Sequence, residues 1–139
     1  MFSDFSLFRF PAFSLFPEVP MPVEEWSDKI WLVQLDEEPA LSEDLMQVKD
    51  KAHAATNMPD IVLDFAAVNH MNSSNLSQLL RLRKEAIDRD SKLRIAGLTD
   101  ALWAVFLTTG LDKVFEFAQN VPLALAGLQI EDGEADDEE

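Results

Sequence analysis

Residues 61–110 read IVLDFAAVNHMNSSNLSQLLRLRKEAIDRDSKLRIAGLTDALWAVFLTTG. The run IVLDF at 61–65 is short and almost wholly apolar, and Asn57-Met58-Pro59-Asp60 breaks the chain just before it. Such a run is a buried strand. KLRIAGL at 92–98 is a second one. Between them Leu76, Leu79, Leu80, Arg83 and Ile87 are assigned to one face of a helix, with Gln78, Arg81, Glu85 and Asp88 turned outward. Thr99 is placed as the N-cap of a further helix through Leu102, Val105, Phe106 and Thr109, and Gly110 supplies a left-handed stop. Strand, helix, strand, helix in so short a span predicts parallel pairing with helical crossovers.

The same alternation extends both ways. IWLVQL at 30–35 is a buried strand, preceded by an edge strand over Val23–Trp26. Leu41, Leu45, Val48, Ala52 and Ala55 recur at helical spacing, with Ser42 as the expected N-cap and Glu43 and Asp44 in the first turn. VFEF at 114–117 reads as a short strand and 120–128 as a last small helix. The fold class is therefore α/β, a single small domain over 23–129 with a mixed, mostly parallel sheet of four to five strands.

The two ends differ from this body. Residues 1–22, MFSDFSLFRFPAFSLFPEVPMP, hold six of the ten phenylalanines and four of the seven prolines. No long helix survives those prolines. The segment is expected either as a poorly ordered leader or as an aromatic arm that docks on its own domain or joins two copies as a homodimer. Residues 130–139 are expected as an acidic, disordered tail, because EDGEADDEE carries seven carboxylates in nine positions.

Composition excludes several functions. Net charge is −15, and removing the seven charges of the tail still leaves −8. A chain of that sign repels phosphate backbones and anionic lipid, so no nucleic-acid partner and no membrane insertion are expected; a basic protein partner suits it better. There is no cysteine, which removes thiol catalysis and most structural zinc sites and fits a cytoplasmic location. The four glycines are scattered and form no phosphate-binding loop, and His53 and His70 have no partner at metal-binding spacing. Ser73 and Ser74 lack the flanks of a hydrolase nucleophile, and nothing local joins Asp64, His70 and Ser73 as a triad. No enzyme activity and no cofactor are expected.

The strand-to-helix turn Asn72-Ser73-Ser74-Asn75 is the strongest local candidate. Asn and Ser are good N-caps, so the turn has a structural reading. A helix N-terminus also receives a phosphate well, because free N–H groups and the helix dipole favour negative charge there.

The ordered pieces IVLDF, MNSSNL, LLRLRKEA, KLRIAGL and TTGLDKVFEF resemble the STAS domain of bacterial anti-sigma factor antagonists over about residues 25–128. The resemblance implies helices packed mainly on one side of the sheet. It also implies a partner that is an anti-sigma factor and serine kinase, or another STAS-binding protein. By position it makes Ser73 the phosphoacceptor, with Ser74 second. Asn72 and Asn75 stand where that family carries Asp and Gly. The expected partner-binding residues are Asn72, Ser73, Ser74, Asn75, Gln78 and Arg81, with Trp103 either an added anchor or core. The second reading is a STAS scaffold without a phosphorylation switch, a subunit of a larger signalling or transport assembly.

Overall fold

The computed structural model describes residues 23–137, with side chains through residue 130. The Phe-rich segment 1–22 lies outside the described residues. The element order is β1 (Val23–Ser27), β2 (Ile30–Gln34), α1 (Ala40–Ala54), β3 (Asp60–Asp64), α2 (Ser73–Asp88), β4 (Leu93–Ala96), α3 (Asp100–Thr109), a 3-10 turn (Leu111–Lys113), β5 (Glu116–Ala118) and α4 (Val121–Asp137). The five strands lie in the order β1-β2-β3-β4-β5. β1 pairs antiparallel with β2 through a tight turn, and every later neighbour is parallel because a helix intervenes. One row of paired residues, Val23, Val33, Leu63, Ile95 and Phe117, crosses the whole sheet.

Strand periodicity divides the core into two layers. Trp31, Val33, Ile61, Leu63, Leu93 and Ile95 meet side chains of α1, α2 and α3 on one face. Ile30, Leu32, Val62 and Ala96 meet Ala124, Leu125 and Leu128 of α4 on the other. Three of the four helices thus share one side. Ile30–Val33 of β2 and Ile61–Leu63 of β3 are buried and face the two layers in turn, which is why their sequences read as continuous apolar runs.

Helix boundaries depart from the sequence reading at three points. Ser42 is not the cap of α1; that helix starts two residues earlier, after Pro39, and Ser42 lies in its first turn bonded to Glu38. Proline at the entry is compatible with an early start because it has no N–H to leave unpaired. In α2 the buried residues are Asn75, Leu79, Leu82 and Ala86, whereas Leu80 and Ile87 are exposed. A helix carrying leucines at 76, 79, 80 and 82 offers two overlapping stripes, and packing against α1 selects the one that includes Asn75. Finally, α4 continues to Asp137 and takes in most of the segment expected as a disordered tail. Its packed first turns nucleate the helix, so later residues add one bond each as it propagates.

The remaining caps follow the sequence. Thr99 Oγ1 accepts from Leu102 N at 3.3 Å, and Gly110 ends α3 at φ 79°. Gly97 has φ +75°, and a Cβ there would stand 3.3 Å from Asp64 Oδ1.

Candidate functional site

The parallel strands end at one edge of the sheet, where three loops meet. Leu35 N–H donates to Asp64 O at 3.0 Å and Phe65 N–H to Ala96 O at 2.9 Å, so the loops after β2, β3 and β4 leave from a common frame. Thr99 Oγ1 and Val68 O, 3.5 Å apart, bring the third loop to the second.

The turn at 72–75 is built by reciprocal capping. Asn72 Oδ1 accepts from Asn75 N at 2.9 Å, and Asn75 Oδ1 accepts from Asn72 N at 3.0 Å. Each side chain satisfies a backbone donor that the start of α2 would otherwise leave unpaired. The Asn75 amide nitrogen then donates to Glu38 Oε2 at 2.8 Å and to Ser42 Oγ at 3.1 Å, and lies 3.4 Å from Gln78 Oε1. Gln78 Nε2 donates to Ser42 O at 3.0 Å. A buried polar side chain must have partners, and Asn75 has them on both ends of its amide.

Glu38 is the centre of this cluster. It receives the Ser42 hydroxyl, the Asn75 amide and the Ser42 backbone N–H, and these bonds hold its carboxyl below the ordinary value. Its neighbour Glu37 accepts from Asn69 N at 2.9 Å and sits 3.8 Å from His70 Nδ1. Two consecutive carboxylates of the β2–α1 loop therefore hold the second half of the β3–α2 loop and the first turn of α2. An open depression lined by Glu37, Glu38, His70, Met71, Asn72 and Asn75 lies beside them.

The expected site residues fall into two groups. Ser73, Ser74 and Arg81 are exposed, and neither serine hydroxyl makes a hydrogen bond within the described residues. Ser73, Ser77 and Arg81 follow at intervals of four and share a face of α2. Asn72 is exposed, but its side chain is committed to the cap. Asn75 and Gln78, expected on the partner-facing surface, instead face α1. Asn75 is wholly buried, and Gln78 is held to Ser42. The side chain at 75 thus fills space beneath the turn and does not obstruct its outer surface. Trp103 is partly exposed, with its ring edge-on to Phe117 at 5.1 Å.

Asp64, His70 and Ser73 do not assemble. Asp64 Oδ1 accepts from Ala66 N at 3.0 Å, His70 faces Glu37, and no hydrogen bond links the three among the described residues. His53 pairs with Glu85 at 3.2 Å. The roles of Glu37, Glu38 and Ser42 were not apparent from sequence, because nothing local ties a carboxylate to an amide 37 positions away.

The description of the family model that matches is "STAS domain", over residues 23–124. The fold is shared with solved structures at low identity. A protein assigned as an anti-sigma factor antagonist from Thermotoga maritima has 14% identity and a TM-score of 0.67, covering 78% of this chain and 94% of that one. A chain from the molecular architecture of the stressosome, a signal integration and transduction hub, has 21% identity and a TM-score of 0.63, covering 78% and 96%. The Bacillus cell fate determinant SpoIIAA in its phosphorylated form has 14% identity and a TM-score of 0.59, covering 76% and 96%. With residues 23–124 matched by the family model, the chain belongs to the STAS domain family.

Proposed function

We propose that the chain is a protein-binding regulator of the anti-sigma factor antagonist type, whose partner is an anti-sigma factor that is also a serine kinase, and that Ser73 is the phosphoacceptor. The observation that carries this reading is the state of Ser73. It is the first residue of α2, exposed, its hydroxyl without a hydrogen bond within the described residues, on a turn fixed from below by Asn75. A hydroxyl so placed is open to a kinase, and its phosphate would meet the N-terminal N–H groups of the helix. Arg81 and Ser77 continue the contact face along α2. The acidic depression beside the turn suits a basic side chain of the partner. The function is binding, not catalysis, and it operates in the cytoplasm.

Incubation with the co-purifying kinase and ATP tests this. The intact mass should rise by one phosphate in the native chain and not in Ser73→Ala. No gain, or a gain that persists in Ser73→Ala, overturns the assignment.

A second reading has its own support. Asn72 is neutral, Glu37 and Glu38 rim the turn, and no Lys or Arg joins its hydrogen-bond network among the described residues. A phosphate here would gain no charge partner from this chain's own turn. That favours an unswitched STAS subunit of a larger signalling assembly. The same kinase experiment separates the two.

A further inference from the structure

The third helix is built differently from the first two. From Ala101 to Gly110 its sequence, ALWAVFLTTG, contains no charge, in a chain whose net charge is −15. Only Leu102 and Phe106 of that helix are buried, while Trp103 is 39% and Leu107 51% exposed. A helix apolar all round is normally covered. Beside it lies a groove of about 480 Å³, lined by Leu98, Asp100, Trp103, Phe117, Ala118 and Gln119. Two of the lining residues are aromatic: Phe117 meets Trp103 edge-on at 5.1 Å and rests edge-on at 5.4 Å against Phe106 in the core beneath.

We infer that this groove is the docking site of the chain's own N-terminal segment, residues 1–22. Chemistry and length both point to it. The segment carries six phenylalanines against Asp4, Arg9 and Glu18, so it is nearly neutral and meets a single carboxylate, Asp100, in the groove. Aromatic side chains suit a groove whose ring faces and edges are open. The segment joins the domain at Val23, the first member of the row Val23, Val33, Leu63, Ile95 and Phe117. The tether and the groove therefore stand at the two ends of one row, four strand spacings or about 19 Å apart. From Phe16 to Val23 the chain passes Pro17, Pro20 and Pro22. Extended at about 3.1 Å per residue, these seven steps span about 22 Å, enough to bring the first phenylalanine to the groove.

The absence of cysteine allows a direct test. A nitroxide on Ser14→Cys in the full chain should remove most of the intensity of the Trp103 indole N–H and the Phe117 amide signals. Leu80 and Ile87 on α2 should keep theirs. The effect should vanish in a Leu107→Glu variant that retains the native amide spectrum elsewhere. No broadening at Trp103 overturns the inference. Broadening seen only when spin-labelled unlabelled-isotope chain is mixed with isotope-labelled chain without nitroxide also overturns it, and assigns the groove to a second copy. Either failure leaves the Ser73 reading untouched, because that reading is measured by mass.

Discussion

The Asn75 amide donates to the Glu38 carboxylate at 2.8 Å, joining the first turn of α2 to the loop before α1. One buried side chain thereby fixes the relative position of two loops that sequence separates by 37 positions. Asn75→Gly should leave Glu38 and the Asn72 N–H short of a partner and add chain freedom at a helical position. The expected loss is about 1–3 kcal/mol, read as a lower urea midpoint at unchanged slope. Asn75→Asp should cost more at neutral pH, because it sets a second carboxylate against Glu38.

Acid should loosen the same cluster. Bonds from the Ser42 hydroxyl, the Asn75 amide and the Ser42 N–H lower the Glu38 pKa from its ordinary 4.5. His53, then Arg89, lower that of Glu85. A carboxyl depressed in the folded state contributes stability above pH 4.5 and loses it as pH falls through the folded value. Asp44 works in the opposite sense: desolvation, then Glu43 and Asp36, raise its pKa, so its ionisation weakens the fold as pH rises through the raised value. Urea midpoints measured from pH 7 to pH 3 should fall less steeply in Glu38→Gln than in the native chain. Asp44→Asn should be neutral or stabilising at pH 7.

Replacing Ser73 should separate binding from folding. Both Ser73→Ala and Ser73→Glu should keep the native melting profile to within about 0.5 kcal/mol, since the residue is exposed and its hydroxyl is unbonded within the described residues. Calorimetric titration of the kinase partner should show binding to Ser73→Ala and loss of binding to Ser73→Glu. Equal affinity of the two variants would favour the unswitched scaffold.

Arg89 closes the other end of the helix pair. Its guanidinium donates to Ala52 O at 3.2 Å, to Ala55 O and to Thr56 O at 3.3 Å, and pairs with Glu85 at 3.2 Å. These carbonyls end α1, where a helix leaves acceptors unpaired. Arg89→Ala should cost about 1.5–3 kcal/mol, and Arg89→Lys should recover only part of it because an ammonium cannot reach several carbonyls at once. Thermal melts of the three proteins check the order.

Gly97→Ala should destabilise through backbone strain and a tight contact together. Its φ of +75° is strained for any Cβ, and the added atom would press on Asp64 Oδ1. A loss of about 1–2 kcal/mol in urea is expected, with the Ser73 turn unchanged in amide spectra.

The sequence made most of the fold legible because burial on both faces leaves an unbroken apolar run, as at 30–33 and 61–63. Thr99 and Gly110 were legible for the same local reason: each acts on its own helix end. What escaped was long range. Leu82 and not Leu80 faces the core because α1 packs against that stripe, a choice no periodicity in α2 alone contains. Asn75 read as a surface residue because its partners Glu38 and Ser42 come from another loop. Ser42 itself looked like a cap, and the chain uses its hydroxyl on Glu38 instead.

The reciprocal Asn72–Asn75 cap, anchored on Glu38, has a thermodynamic consequence for association. A turn already held by four side-chain bonds has little conformational entropy left to lose when a partner closes on it. Complex formation at Ser73 should therefore approach rigid-body docking, with affinity set by contacts and not reduced by ordering of the loop.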